Sequence, residues 1–289
     1  MQMENKEFCA FIITHGRADK VITYKTLKKS GYTGKIFFVV DNEDKTILKY
    51  QTNFGEDMVI IFDKQKYADM VDEGNNFDNR RTTTHARNAC FDIAENLGYK
   101  YFIVLDDDYT GFHHRYLSKD AKKLLYVNVK NLDKIFELFL EYYKSTLFKS
   151  IAFAQGGDFI GGAGNPFAIK MPLSRKCMNS FICSTERRFW FVGQLNEDVN
   201  TYITLGSRGE LFGTVPYINL VQAATQKTKG GMTEAYLLYG TYMKSFMTVM
   251  MQPSSVSVSM LNTGNARLHH SVKWINTVPV IIDEKYKKI

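Results

Sequence analysis

Asp106, Asp107 and Asp108 follow directly on the apolar run Tyr101 to Leu105. Three carboxylates at the end of a buried strand put hard oxygen ligands at a sheet edge, where they suit Mg²⁺ or Mn²⁺ holding a diphosphate. A bound cation is also the simplest relief for their mutual repulsion. A second acidic pair, Glu197 and Asp198, stands behind Asn196 at the start of a helical pattern. The helix dipole favours acids there whether or not they react. Of two histidine pairs, His269-His270 adds imidazoles that can ligate metal, whereas His113-His114, so soon after the strand, reads as structural. The glycines of Gly156-Gly157 and Gly161-Gly162-Ala163-Gly164-Asn165 permit close backbone approach. They match neither the Walker lysine pattern nor the dinucleotide GxGxxG, and read as a substrate-side loop or, equally, a plain flexible turn.

The elements that must position these groups alternate through the first hundred residues. Phe8 to Thr14 is a continuous apolar run suited to a buried parallel strand, and a helical segment from Ala18 ends near Ser30-Gly31. Strand Lys35 to Val40 runs into Asp41, and Met58 to Phe62 reads as a third strand after a short helix. Thr82 to Leu97 is an amphipathic helix stopped by Gly98, feeding the strand that delivers the carboxylates. Ligands of such a βαβ series bind beyond the carboxyl ends of the strands, which is where Thr14 to Arg17, Asp41 and Asp106 to Asp108 fall. Later segments are a helix Asn131 to Leu147, a strand Ser150 to Ala154, and shorter strands Phe167 to Met171, Ser180 to Ser184 and Leu211 to Leu220. The Asn196 side chain is placed to cap a helix ending near Gly206, and Thr225 to Gly231 reads as an exposed loop before a helix Thr233 to Met251.

With 289 residues, 45% of them hydrophobic, the chain can bury a large core. The four cysteines are scattered without zinc spacing, so buried reduced thiols in a cytoplasmic protein are expected. No signal-peptide pattern opens the chain, and the apolar stretch Ala235 to Met251 is interrupted by Lys244, so no membrane span is expected. The net charge of +7 is uneven: residues 1–159 carry 23 basic and 23 acidic side chains, and residues 160–289 carry 14 and 7. The basic second half points to a polyanionic partner, with nucleic acid foremost, against the plainer reading of a solvated surface.

An opening strand followed by Arg17, a second strand ending in Asp41, and Ala86-Arg87-Asn88 on a helix ahead of "FIVLDDD" together resemble the GT-A nucleotide-sugar glycosyltransferases. The resemblance implies an α/β fold with a Rossmann-like, mixed but mostly parallel sheet flanked by helices. It implies one domain over residues 1–289, with about 1–110 binding the nucleotide sugar and about 111–289 the acceptor. Asp106 and Asp107 would face the donor, Asp106 and Asp108 the metal, Asp41 the nucleoside, and Thr14, Arg17 and Arg87 the nucleotide or donor sugar. "LNEDV" is similar to the acidic signature of inverting members, which makes Asp198 the expected general base with Glu197 as alternate. A late histidine, His269 or His270, would complete the metal shell.

The segments "IITHGRADK", "TTTHARNACFDIAENLGYKYFIVLDDD", "LNEDVNTY" and "HHSVKWINTVPVII" resemble the TET-associated glycosyltransferases of bacteriophages and some eukaryotic proteins. That resemblance implies transfer from a nucleotide-diphosphate sugar, UDP-sugar foremost, to a 5-hydroxymethylpyrimidine in DNA, in the host cytoplasm if phage-encoded. Phe189, Trp190, Phe191 and Tyr236 could then stack on a base, and Arg187, Arg188, Lys227 and Lys229 could meet phosphates. Sugar transfer to a protein, glycan or small molecule is the alternative. A nucleotidyltransferase would need a glycine- and lysine-rich loop after the first strand, which "THGRADK" does not supply. A basic binding module without catalysis would have no use for Asp106, Asp108 and Asp198 together.

Overall fold

The computed structural model describes residues 7–74, 80–168, 170–222, 233–263 and 265–279. The first hundred residues form β1 (Phe8–Ile13), α1 (Ile22–Lys29), β2 (Lys35–Asp41), α2 (Ile47–Phe54), β3 (Val59–Phe62), α3 (Lys64–Ala68), α4 (Thr84–Asn96) and β4 (Tyr101–Leu105). Every residue of β1 and β4 is buried, which is why both strands are apolar without alternation. Gly98, at φ 76°, supplies the left-handed turn that ends α4 and aims the chain into β4. The first helix begins at Ile22 rather than Ala18, because Lys20 N–H bonds back to the Arg17 carbonyl in a tight turn.

Next come β5 (Tyr109–Leu117), β6 (Leu124–Asn128), α5 (Leu132–Ser145), β7 (Phe148–Gln155), β8 (Ser180–Ser184), α6 (Glu197–Gly206), β9 (Leu211–Gln222), α7 (Thr233–Met251), β10 (Val256–Thr263) and β11 (Asn265–Val272). The run expected as a strand from Phe167 to Met171 instead starts as a tight turn, Pro166–Ala168. Pro166 contributes a fixed φ and no N–H, which suits a turn better than a ladder. Strands β5, β6, β10 and β11 were not expected. β5, β10 and β11 are rich in polar residues and lack the continuous apolar run that marks a buried strand, whereas β6 is apolar but exposed at the sheet edge; all four pair in hairpins.

Nine strands form one sheet in the order β3-β2-β1-β4-β8-β7-β9-β5-β6. Pairing is parallel from β3 to β4 and between β7 and β9, and antiparallel at β4-β8, β8-β7, β9-β5 and β5-β6. Only β8 and β5 therefore run against β1. The fold is thus α/β, with a mixed, mostly parallel sheet flanked by helices, as the resemblance to the GT-A enzymes implies. One face packs Leu27, Phe38, Phe136 and Phe153, and the other packs Phe11, Phe91, Phe102 and Phe181. All four cysteines are buried and free. No helix among the described residues is long and apolar enough to cross a membrane.

Candidate active site

Strands β1, β2 and β4 end on one edge, and each aspartate that follows β4 meets a different partner. Asp107 turns inward and is 5% exposed. Its carboxylate accepts hydrogen bonds from Thr14 Oγ1 at 2.7 Å and Arg17 Nη1 at 2.8 Å. Arg17 is held further by its own N–H, which donates to the Tyr50 hydroxyl at 2.8 Å. Asp106 pairs with Arg87 Nη2 at 2.9 Å. Asp108 accepts from the Gln222 carboxamide, at 3.1 Å, and among the described residues no lysine, arginine or histidine lies within ion-pair distance of it. Thr23 fixes the turn itself: its Oγ1 donates to the Asp106 carbonyl at 2.6 Å, and its N–H to the Asp107 carbonyl at 3.1 Å.

Arg87 lies on α4, is 2% exposed, and reaches both halves of the chain. Its Nε is 3.0 Å from Glu197 Oε1, which also accepts from Thr83 Oγ1 at 2.5 Å. Its Nη1 is buried with no hydrogen-bond partner among the described residues. Burial pushes Asp106 up to about 7 despite Arg87, with Asp108 and Glu197 adding repulsion. Burial and then Asp107 also raise Asp108. The donor set fits a hard divalent cation, because Asp108 is a carboxylate that no cation among the described residues pairs with directly.

Asp198 takes a different environment from Glu197. Its Oδ1 accepts from Val199 N–H at 2.7 Å, and burial, followed by the neighbouring Glu197 charge, raises it to about 6. Asn196 does not cap α6 through its side chain as expected. It sits at φ 55° and donates from Nδ2 to the Lys244 carbonyl at 2.8 Å and to Thr248 Oγ1 at 3.1 Å. The left-handed backbone, which asparagine tolerates, turns the chain so that both acids enter the site. At the end of β2, Asp41 is held between His15 Nδ1 at 2.6 Å and Lys64 Nζ at 3.4 Å. Burial acts to raise Asp41, but these two cationic partners leave it below its ordinary value.

Other expected site residues lie elsewhere. His269 and His270, on β11, do not join Asp106 and Asp108; their Nε2 atoms lie 3.4 Å and 3.0 Å from Lys176 Nζ. Burial and the Lys176 charge push His270 down to about 2, so its ring is neutral. Among the described residues no three His, Cys, Asp or Glu side chains gather as a metal-ready group. Arg187 donates to the carbonyls of Tyr143 and Phe148, and Arg188 pairs with Asp92. Ser184, just ahead of them, pairs with Tyr101 at the start of β4, so these arginines stand at the end of the sheet away from the carboxylates. Phe189 and Phe191 are 5% and 0% exposed in the core, where they pack on Phe91 and Phe181 and cannot stack on a base. Trp190 is partly exposed under Arg188. Lys227, Lys229 and the Tyr236 side chain lie outside the described residues.

Sequence reasoning missed Thr23, Tyr50 and Lys176, and named His15 only within the span Thr14 to Arg17. Thr23 and Tyr50 lie on the helices after the strand ends that were singled out, so proximity to those ends was their only signal. Lys176 had none.

Residues 8–231 match the family model described as TET-Associated Glycosyltransferase. The chain belongs to the TET-associated glycosyltransferase family. It is accordingly a glycosyltransferase. No curated protein matches it in sequence. Among solved structures, glucosyl-3-phosphoglycerate synthase from Mycobacterium tuberculosis, in complex with Mg²⁺ and uridine diphosphate, is similar with 10% identity and a TM-score of 0.47. That match covers 93% of this chain and 88% of the synthase. S. aureus TarS (residues 1–349) is similar with 13% identity and a TM-score of 0.42, over 74% of this chain and 60% of that one.

Proposed function

We propose that this glycosyltransferase moves a sugar from a nucleoside-diphosphate donor, a UDP-sugar foremost, to the hydroxymethyl oxygen of a 5-hydroxymethylpyrimidine in DNA, with inversion at the anomeric carbon. The observation that carries the chemistry is the split between Glu197 and Asp198. Glu197 is neutralised by Arg87, whereas Asp198 is buried, forms no ion pair among the described residues, and is raised to about 6. A carboxylate ionised at neutral pH yet appreciably basic suits removal of a proton from an acceptor hydroxyl. Asp198 takes that proton as the oxygen attacks, and Arg87 holds Glu197 and Asp106 in place around the reacting sugar. The unpartnered Arg87 Nη1 is left to donate to a substrate oxygen. Asp41 suits a nucleobase that presents a ring N–H, as uracil does.

Asp108, with Asp106, would hold Mn²⁺ or Mg²⁺, which supplies charge neutralisation at the leaving diphosphate. The raised Asp106 and Asp198 carboxyls bind protons in the folded chain that the unfolded chain has lost between pH about 4 and 7. Metal-free protein should therefore gain stability from these groups as pH falls through that window. Metal competes with those protons, so Mn²⁺ at a hundredfold excess over its Kd should raise the melting temperature by about 5 °C at pH 8 and by much less at pH 5. Equal shifts at both pH values, or an unchanged shift in Asp108→Asn, would reject this metal site.

The DNA acceptor rests on the family and on the basic second half, since Arg187, Arg188, Phe189 and Phe191 are committed elsewhere. The deciding experiment incubates the enzyme with a panel of nucleotide sugars and hydroxymethylated DNA, then reads nucleosides by mass spectrometry. DNA affinity should fall steeply between about 50 and 200 mM salt. A flat response together with no modified nucleoside would turn the reading to a protein, glycan or small-molecule acceptor.

A further inference from the structure

Lys176 forms no ion pair among the described residues, although Asp198 acts on its charge from beyond that distance. Its half-buried ammonium contacts only His270 Nε2 at 3.0 Å and His269 Nε2 at 3.4 Å among the described residues, and no carboxylate comes within ion-pair distance. Neighbouring cations are treated otherwise: Arg17, Arg87 and Arg175 each hold an aspartate. Nor is Lys176 a loose surface residue. Thr214 Oγ1 donates to its carbonyl at 2.6 Å, and the preceding Arg175 is anchored through Nε to Asp158 at 2.7 Å. His270, 4% exposed, continues the contact inward, with its Nδ1 3.3 Å from the Asn196 carboxamide. The ammonium is thus linked through one imidazole to the residue immediately before Glu197 and Asp198.

Imidazole nitrogens offer an ammonium no negative charge to offset its own, so desolvating it in this place is unfavourable until an anion arrives. Phosphate oxygens answer an ammonium as a point charge and accept from a neighbouring imidazole N–H as well. We propose that Lys176, backed by His269 and His270, is a phosphate-binding subsite of the reaction centre rather than the histidines being ligands of the metal. The inference rests on the sugar-transfer reading above, which supplies two sources of such phosphate: the diphosphate of the donor, and the DNA backbone beside the acceptor base.

The test titrates inorganic pyrophosphate, and separately unmodified duplex DNA, into wild type, Lys176→Met and Lys176→Arg, all in EDTA so that no metal contributes. A donor-side subsite is expected to show pyrophosphate affinity at least about tenfold weaker in the Met variant, largely restored by Arg, with DNA affinity unchanged. A backbone-side subsite instead lowers DNA affinity and reduces the salt slope by about one, leaving pyrophosphate binding as it was. Unchanged binding of both ligands in Lys176→Met overturns the proposal. Wild type gives an independent readout if the variant does not fold: pyrophosphate or DNA should shield Lys176 from acetic anhydride, scored by peptide mass spectrometry. Full labelling in the presence of saturating amounts of either ligand also overturns it. Pyrophosphate binding needs neither the right nucleoside nor the right acceptor, so failure of the nucleotide-sugar panel and failure of this subsite are separate results.

Discussion

Asp198→Asn should lower sugar transfer by at least about a hundredfold, the usual scale for losing a positioned base, while nucleotide-sugar and metal affinity hold. The substitution keeps the side chain's shape and its Val199 contact through Oδ1, and removes only the capacity to take a proton. Single-turnover transfer assays beside donor-binding titrations separate the two effects. Because Asp198 is raised to about 6, the wild-type rate should climb with pH through that value and level above it, and the climb should vanish in the Asn variant. The product should carry the anomeric configuration opposite to the donor's, read by NMR of the modified nucleoside. Retained configuration, or near-normal transfer by Asp198→Asn, would make this residue an ordinary helix-start acid.

Arg87→Met should cost about 3–5 kcal/mol of folding stability, the scale for stranding buried partners of an ion pair. One guanidinium answers Asp106 through Nη2 and Glu197 through Nε, so its removal leaves two carboxylates in the interior with no cation. Arg87→Lys should recover little, because an ammonium is a point donor and cannot span both partners in the fork geometry. Urea unfolding followed by circular dichroism measures both variants. Acidification should recover part of the loss in Arg87→Met, since protonating the stranded carboxyls removes the unpaired charge. A midpoint within about 1 kcal/mol of wild type would mean that the two acids find compensation elsewhere.

The first hundred residues were legible because their physics is local. Continuous apolar strands, a glycine-stopped helix and three acids behind Leu105 each announce themselves within a dozen residues. The second half depends on partners distant in sequence. Nothing near Phe189 or Phe191 says that these rings face Phe91 and Phe181 rather than a nucleobase. Asn196 read as a cap because its type and place suit one, yet Lys244 and Thr248, about fifty residues later, claim its amide. The histidine pair was visible as chemistry, but its partner Lys176 lies more than ninety residues away in a segment of no marked pattern.

The position of β8 between β4 and β7 imposes an order on synthesis. β4 is apolar throughout, and β1 satisfies one of its edges as soon as Leu105 has been made. Its other edge waits for Ser180–Ser184, at least 75 residues later (180 − 105). At roughly 5–20 residues per second the ribosome leaves that edge uncovered for about 4–15 s. During that interval the strand leading into Asp106, Asp107 and Asp108 is also an exposed template for pairing with another chain. The three aspartates at its tip, useful later in chemistry, meanwhile act as like-charged guards against two such edges meeting.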